Sequence, residues 1–175
     1  MSAANLRMNN KRNQYHLICR VISICLCALF CLSFGCTSKK EERLQQIRSL
    51  FDLDGITIYS ESGAQLVCRN GNYMVEVPDG RGLFEDEKYL ALFGDDDNFI
   101  ESNTLKLRFQ DPAAFAVMQK QEIGASLQCL SRKEGVPNVI VNFDVFNRNR
   151  KWSDEDITLL TILGHCIGNL LNYSE

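Results

Sequence analysis

The sequence is poor in the residues on which many enzyme active sites depend. It contains two histidines, His16 and His165, in 175 residues. The patterns G-x-S-x-G, G-x-x-x-x-G-K-[ST] and H-E-x-x-H are all missing, which argues against a nucleophile elbow, a phosphate-binding loop and a zinc-protease helix. His165 lies within a helical pattern, where a packing or surface histidine is expected before a catalytic base or a ligand. The sequence therefore predicts a protein that is not an enzyme.

Clustered metal ligands are also lacking. Of the eight cysteines, Cys68, Cys129 and Cys166 are the three beyond residue 36, and no C-x-x-C pair joins them. This isolation indicates neither a zinc site nor a disulfide framework. The acidic run Asp95–Asp97 does not have the spacing of a calcium loop, so a solvated acidic loop is expected there. We predict no metal site, and the sequence identifies no cofactor.

A concentrated basic surface is the third missing feature. The formal net charge is −3, with both signs mixed along the chain. The cluster Arg148, Arg150 and Lys151 is short, and a solvated loop explains it. Because nucleic-acid binding needs a basic face, we expect no nucleic-acid partner.

The N-terminus consists of a basic region followed by an apolar segment. Residues 1–20 are polar and basic, and residues 21–38 carry no charged side chain. That length is at the short end for a membrane span. Three interpretations remain open: a single transmembrane anchor, a cleaved signal peptide or lipoprotein signal, or a wrongly assigned start codon. We expect a membrane-associated protein, and basic residues on both flanks leave the side of the membrane open.

The lipoprotein interpretation depends on Cys36. The stretch Leu32–Cys36 (LSFGC) and the polar tether after it resemble a lipobox, the signal for acylation of its cysteine. Ser33 and Phe34 depart from that pattern, which usually has an aliphatic and a small residue there. Cys36 is thus the candidate lipidation site.

Residues 39–175 have the composition of one globular domain. Residues 39–51 predict an amphipathic helix with Leu44, Ile47 and Phe51 on one side. Asn70-Gly71 is a strong hairpin signal. Further elements are predicted as strands at 55–61, 65–69, 73–77, 104–109, 125–130 and 139–145, and as helices at 84–93, 111–122 and 154–171. This order predicts an α+β fold with an antiparallel sheet of five to six strands flanked by helices.

The C-terminal third has the most regular pattern. Apolar residues alternate along the strand at 139–145, which is typical of a half-buried strand. The strand is followed by a basic loop and then by Trp152-Ser153-Asp154-Glu155-Asp156. Ser153 is a good N-cap and Asp156 a capping-box acid three residues later. A helix with one apolar stripe should begin here.

This strand, loop, W-S-x-E-D-like helix start and final helix resemble the end of a GAF domain, and the resemblance extends over roughly residues 40–173. It implies a membrane-tethered sensory or regulatory module that binds a small molecule or a partner. A ligand would lie between one sheet face and the irregular middle segment. The residues expected near it are aromatic: Phe93, Phe99, Phe109 and Phe115.

Other functions remain open under the same resemblance. One is a degenerate GAF-like domain without ligand, dimerising through the helices at 39–51 and 154–171. Another is a GAF-type reductase of free methionine sulfoxide, whose reactive thiolate would be one of the three domain cysteines. Cyclic-nucleotide-binding GAF domains carry a motif that Asn147 and Asp156 match, whereas Trp152 stands in place of its Phe. We interpret Asn147, Trp152, Ser153 and Asp156 as a structural motif of the loop and helix cap.

Overall fold

A computed structural model describes residues 37–63, 65–70, 77 and 79–174. The basic region, residues 21–36 of the apolar segment, Cys36 and residues 73–76 of the predicted third strand lie outside this described part. Among the described residues, no helix combines the length and apolar character needed to cross a bilayer. The helices are α1 Thr37–Leu50, α2 Glu87–Leu90, α3 Leu107–Gln110, α4 Pro112–Lys120 and α5 Asp154–Ser174, with 3₁₀ turns at Arg81–Phe84 and Thr104–Lys106. The strands are β1 Gly55–Ser60, β2 Gln65–Arg69, β3 Asn98–Glu101, β4 Ile123–Lys133 and β5 Val136–Phe146.

The five strands form one antiparallel sheet in the order β2-β1-β5-β4-β3. The C-terminal hairpin of β4 and β5 is its centre, and β1 pairs with β5 along its whole length. The predicted antiparallel sheet flanked by helices is thereby confirmed, with five strands in the described part.

Helices α1 and α5 cover one face of the sheet. Leu44 and Ile47 of α1 and Leu160 and Leu163 of α5 are fully buried in one apolar cluster with strand residues such as Phe143. Gly168 allows α5 to lie close to β4, because a Cβ there would come within 2.7 Å of the Ser131 Cβ. We call this side the helix face.

Short helices and α4 cover the opposite face. Helix α4 begins as the sequence predicts, since the Asp111 side chain accepts hydrogen bonds from the Ala113 and Ala114 backbone N–H groups at 3.0 Å each. A second apolar cluster on this side joins α2, α4 and the sheet, and includes Tyr89, Phe93, Met118 and Ile140. We call this side the cavity face, because a cavity lies between α4 and the sheet here.

The predicted strand at 104–109 is wrong, because this stretch is helical. The Asn103 side chain accepts a hydrogen bond from the Leu105 N–H at 3.1 Å and starts a 3₁₀ turn that leads into α3. Thr104 and Leu107, three residues apart, are buried together on one side of the turn, as helical geometry requires. The edge strand in this region is instead β3, which the sequence did not indicate.

The prediction of a half-buried strand at 139–145 needs correction too. Both sides of β5 are buried from Val139 to Phe146. The side chains of Val141 and Phe143 lie on the helix face, as expected. The polar side chains of Asn142 and Asp144, on the other side of the strand, are buried as well. The polar side of this strand therefore faces covered protein interior.

Candidate ligand-binding site

A cavity of about 230 Å³ lies between α4 and the sheet, on the cavity face. Tyr59, Asn142 and Gln128 line it from the three adjacent strands β1, β5 and β4. Ala114, Val117 and Met118 line it from α4. The volume is below the roughly 300–1,000 Å³ of pockets that hold drug-sized ligands, so the cavity suits a small molecule.

Strand register places the polar residues of the cavity floor in rows. Asn142 of β5 lies opposite Thr57 on one side and opposite Gln128 on the other. Asp144, one step along the same side of β5, lies opposite Ser126. Since alternate residues of a strand share a face, these five side chains all belong to the cavity face.

Two of these buried groups have no hydrogen-bond partner among the described residues: the Asn142 Oδ1 and the Thr57 Oγ1. A buried polar group without a partner costs about 1–3 kcal/mol. Asn142 is only 5% exposed and borders the cavity. A ligand that supplied the missing hydrogen-bond partner would remove this cost.

A chain of buried hydrogen bonds runs from the cavity wall to a carboxylate below the floor. The Tyr89 hydroxyl donates to the Gln128 Oε1 at 2.6 Å. The Gln128 Nε2 donates to the Ser126 Oγ at 3.1 Å, and Ser126 donates to the Asp144 Oδ1 at 2.7 Å. All three bonds point toward Asp144, which is the polarity that an ionised carboxylate favours.

Burial is the main influence on the titrating groups here. Desolvation raises the pKa of Asp144 to about 6, against the lowering effects of the Ser126 hydrogen bond and of nearby Arg69. It likewise raises the pKa of the Tyr59 phenol and the pKa of the Tyr89 phenol, so both remain protonated donors. Of these three groups, Asp144 is the one whose pKa lies closest to neutral pH.

The rim is formed by the segment that precedes α2. Gly80 packs directly on the Tyr59 ring, and a Cβ at Gly80 would overlap that ring. Its neighbour Asp79 and the α2 N-cap Asp86 both border the cavity. At the far end, Gln121 accepts a hydrogen bond from the Arg69 guanidinium at 2.6 Å, which fixes that amide at the cavity edge.

The four phenylalanines predicted near a ligand do not line this cavity. Phe93 and Phe99 are buried in the second apolar cluster with ring centroids 6.2 Å apart, and Phe115 packs against that cluster. Phe109 is 87% exposed on α3, since the helix turns it away from the core. A ligand contact by any of the four stays a prediction.

The motif residues around the last helix hold the loop together. Ser153 Oγ accepts from the Asp156 N–H at 3.0 Å, and the Ser153 N–H donates to the Asp156 carboxylate at 3.3 Å, the two bonds of a capping box. The Trp152 Nε1 donates to the Glu101 carbonyl at 3.2 Å, and Asn147 Nδ2 donates to Glu122 at 2.9 Å. None of these four described side chains lines the cavity between α4 and the sheet, and Asn147 lines a separate polar surface pocket.

The basic loop is also more ordered than a solvated loop would be. The Arg150 guanidinium donates to the Phe51 carbonyl at 2.7 Å and to Asp156 at 3.1 Å, and stacks over the Trp152 ring at 4.5 Å. Arg150 therefore links the end of α1 to the start of α5.

The three cysteines of the domain lie away from the cavity. Cys68 and Cys129 are buried in the cluster of the helix face, and Cys166 is on α5. Burial raises the pKa of the Cys68 thiol and the pKa of the Cys129 thiol. Both groups are therefore neutral thiols at physiological pH, a poor state for nucleophilic chemistry.

Sequence analysis missed the residues that line the cavity floor: Tyr59, Gln128 and Asn142. Their signal lies in the type of polar residue. The polar positions of β4 and β5 hold Ser126, Gln128 and Asn142, which are uncharged hydrogen-bonding residues, where a solvent face would carry lysine and glutamate. Such a pattern on two central strands indicates a covered polar surface.

The sequence matches no protein-family model and no curated protein. Solved structures do resemble it. The phycocyanobilin-bound GAF domain of a cyanobacterial phytochrome has a TM-score of 0.65 and 10% identity, covering 88% of this chain and 94% of that one. A far-red-absorbing dark state with bound biliverdin IXa has a TM-score of 0.64 and 14% identity, covering 90% and 98%.

A third similar structure is the chromophore-binding domain of the Stigmatella aurantiaca bacteriophytochrome. Its TM-score is 0.62 at 14% identity, covering 87% of this chain and 60% of that one. At these identities the likeness concerns the fold. The chain has a GAF-like fold, as the C-terminal sequence pattern predicted.

Proposed function

We propose that this protein is a sensory or regulatory module that binds a small molecule in the cavity between α4 and the sheet, without catalysis of its own. The observation that carries the proposal is Asn142: a buried amide on a central strand, beside the cavity, whose Oδ1 lacks a partner in the described structure. A domain that needed only a stable core would place an apolar residue there.

The similar structures are consistent with a ligand on this fold, since two of them contain bound biliverdin and phycocyanobilin. A linear tetrapyrrole is larger than a cavity of about 230 Å³ accommodates. No cysteine of the described residues lines the cavity, so none is placed to bond covalently to a ligand there. We therefore propose a smaller, non-covalent ligand.

Ligand-induced thermal shift on the purified chain tests this function. A ligand that binds only the folded state raises its stability by an amount that grows with ligand concentration. Nucleotides, amino acids, amines and small organic acids form the panel.

Two substitutions on α4 identify the site. Ala114→Leu extends a buried side chain that borders the cavity, whereas Ala116→Leu makes the same change on the exposed side of the same helix. We expect Ala114→Leu to abolish the shift and Ala116→Leu to retain it. A shift that survives Ala114→Leu would place binding elsewhere.

The membrane tether remains part of the proposal through residues 21–38 and Cys36. Mass spectrometry of the native N-terminus separates an intact anchor from an acylated Cys36, and a soluble, unmodified protein would contradict both. A homodimer is proposed through α1 and α5, where Ile162 is 53% exposed on the outer side of α5. A strict monomer in light scattering at high concentration would exclude it.

The reductase alternative receives no support from the cysteine positions. Buried, protonated Cys68 and Cys129 and a Cys166 outside the cavity are not placed to attack a sulfoxide bound there. The ligand-free dimerisation unit remains the competing function, and it predicts no concentration-dependent shift with any member of the panel.

A further inference from the structure

The charges that border the cavity are of one sign. Among the described side chains that line it, Asp79 and Asp86 are charged, and none is a lysine, arginine or histidine. Asp79 pairs with Arg81 on the protein surface, where both side chains are more than half exposed. Asp86 is half-buried as the N-cap of α2 and has no ion-pair partner among the described residues.

The carboxylate of Asp86 is held rigidly. Its Oδ1 accepts hydrogen bonds from the backbone N–H groups of Lys88 at 3.0 Å and Tyr89 at 3.1 Å. A carboxylate fixed in this way presents its charge to the cavity mouth without the entropic cost of ordering a mobile side chain. It favours a ligand with a positively charged or strongly donating group.

The hydrogen-bond chain behind the wall adds to this preference. Tyr89 and Gln128 donate along the chain toward Asp144, so the lone pairs of the Tyr89 oxygen remain available as an acceptor. The unpartnered Asn142 Oδ1 is a second acceptor at the floor. Gln121 and Tyr59 are the exceptions, since the Gln121 Oε1 is used by Arg69, which leaves its amide N–H₂ as a donor, and the Tyr59 phenol stays protonated.

The remaining walls are hydrocarbon. Leu83, Ala114, Val117, Met118 and Ile123 surround the polar floor, so the ligand needs an apolar body. An anion would lose its hydration and meet the unpaired Asp86 carboxylate in a partly enclosed site whose described lining carries no cation, which is unfavourable.

We propose that the ligand of this cavity is a small organic amine, with an apolar body in contact with α4 and a protonated or N–H-donating group directed toward Asp86. This inference rests on the proposed function and narrows it to one chemical class. It excludes carboxylate and phosphate ligands from the same cavity.

Four probes of similar size and with the same aromatic body test the class: benzylamine, benzamide, methyl benzoate and benzoate. Isothermal titration with the purified full-length chain at millimolar probe should give the affinity order benzylamine, then benzamide, then the ester, with benzoate weakest. Ala114→Leu should abolish binding of benzylamine.

Asp86→Asn isolates the charge, because asparagine caps a helix as well as aspartate does. It should weaken benzylamine binding by about fivefold, the upper end for a solvent-accessible ion pair, and leave benzamide unchanged. Asp154→Asn removes the same charge from the first turn of α5 on the opposite face and should change neither affinity.

Each outcome decides something different. If benzoate or the ester binds as tightly as benzylamine, or if Asp86→Asn leaves benzylamine unaffected, the amine class is wrong while the cavity remains the binding site. If none of the four probes binds at millimolar concentration and the broader panel also gives no shift, the amine inference and the proposed function both fail.

Discussion

The two faces of the sheet belong to the same strands but differ in the kind of side chain that each buries. On the helix face, Ile56, Leu127, Val141 and Phe143 meet α1 and α5 in a continuous apolar cluster. On the cavity face, Thr57, Gln128, Asn142 and Asp144 are just as deeply buried, yet they are polar, and a cavity remains above them. The helix face has the composition expected of a core, and the cavity face has the composition expected of a site.

The difference assigns a role to each face. Apolar burial at about 25 cal/mol per Å² stabilises the domain on the helix face. An unpaired buried polar group is costly, and both faces hold some, such as the Ser131 Oγ on the helix face and the Asn142 Oδ1 on the cavity face, but Asn142 borders a cavity. The cavity face thus forgoes stability that an apolar replacement would supply, which is how ligand sites commonly depart from core packing.

Truncation of a large buried side chain gives the largest contrast between the faces. Phe143→Ala on the helix face should lower the free energy of unfolding by about 3–5 kcal/mol, because Phe143 is fully enclosed by α5 and its loss leaves a void. Met118→Ala on the cavity face should cost about 2 kcal/mol, the low end for such a change, because Met118 already borders empty space.

Urea unfolding followed by circular dichroism measures both values. If the two substitutions lower the free energy of unfolding equally, the cavity face is packed as tightly as the helix face.

The next contrast concerns pH. Burial raises the pKa of Asp144 from 3.8 to about 6 in the folded state, so between these values the folded state holds a proton that the unfolded state has released. Stability should therefore fall as pH rises through this window, by about 3 kcal/mol, and stay level above it. Asp144→Asn should remove this contribution, with Asp154→Asn as the exposed control.

Denaturant unfolding at several pH values from below 4 to 7 gives the difference between each variant and the parent chain. If the Asp144→Asn difference does not change with pH, Asp144 is not the buried titrating group. A difference that changes in the opposite direction would mean that its partners, Ser126 and Arg69, outweigh its desolvation.

The helix face could be predicted from the sequence, since local patterns determine it. The stripe of Leu44, Ile47 and Phe51 and the capping box at Ser153 and Asp156 each lie within a few residues, and the structure has both as expected. The alternation in β5 likewise identified Val141 and Phe143 as core.

The cavity face could not be predicted in the same way. Alternation shows that Asn142 and Asp144 share a face, but whether water or protein covers that face depends on α4, which is distant in sequence. At 104–109 the alternation of Leu105, Leu107 and Phe109 fitted a strand. In the structure Leu107 alone of these three is buried, and the Asn103 side chain starts a helical turn instead. Arg150 reads as a loop residue because its partner carbonyl at Phe51 is 99 residues away.

The smallest expected effect on stability is also the most informative about the cavity face. The Asn142 side chain is a buried amide whose oxygen has no partner. Asn142→Leu substitutes an apolar side chain of similar size and so removes a polar group that is costly to bury. We expect the free energy of unfolding to change by less than about 1 kcal/mol, or to rise, while ligand-induced thermal shift is lost. This substitution should thus abolish ligand binding without a matching loss of stability.

Asn172→Leu provides the comparison. Asn172 is a buried asparagine on α5, on the other side of the sheet from the cavity. Its Oδ1 is unpartnered in the described structure, like that of Asn142, but its Nδ2 donates to the Arg132 carbonyl at 3.3 Å. Its replacement should cost stability through the lost bond and leave the thermal shift intact. If Asn142→Leu destabilises the chain as much as Asn172→Leu and retains binding, Asn142 is an ordinary structural residue. The assignment of stability to the helix face and of ligand binding to the cavity face would then be wrong.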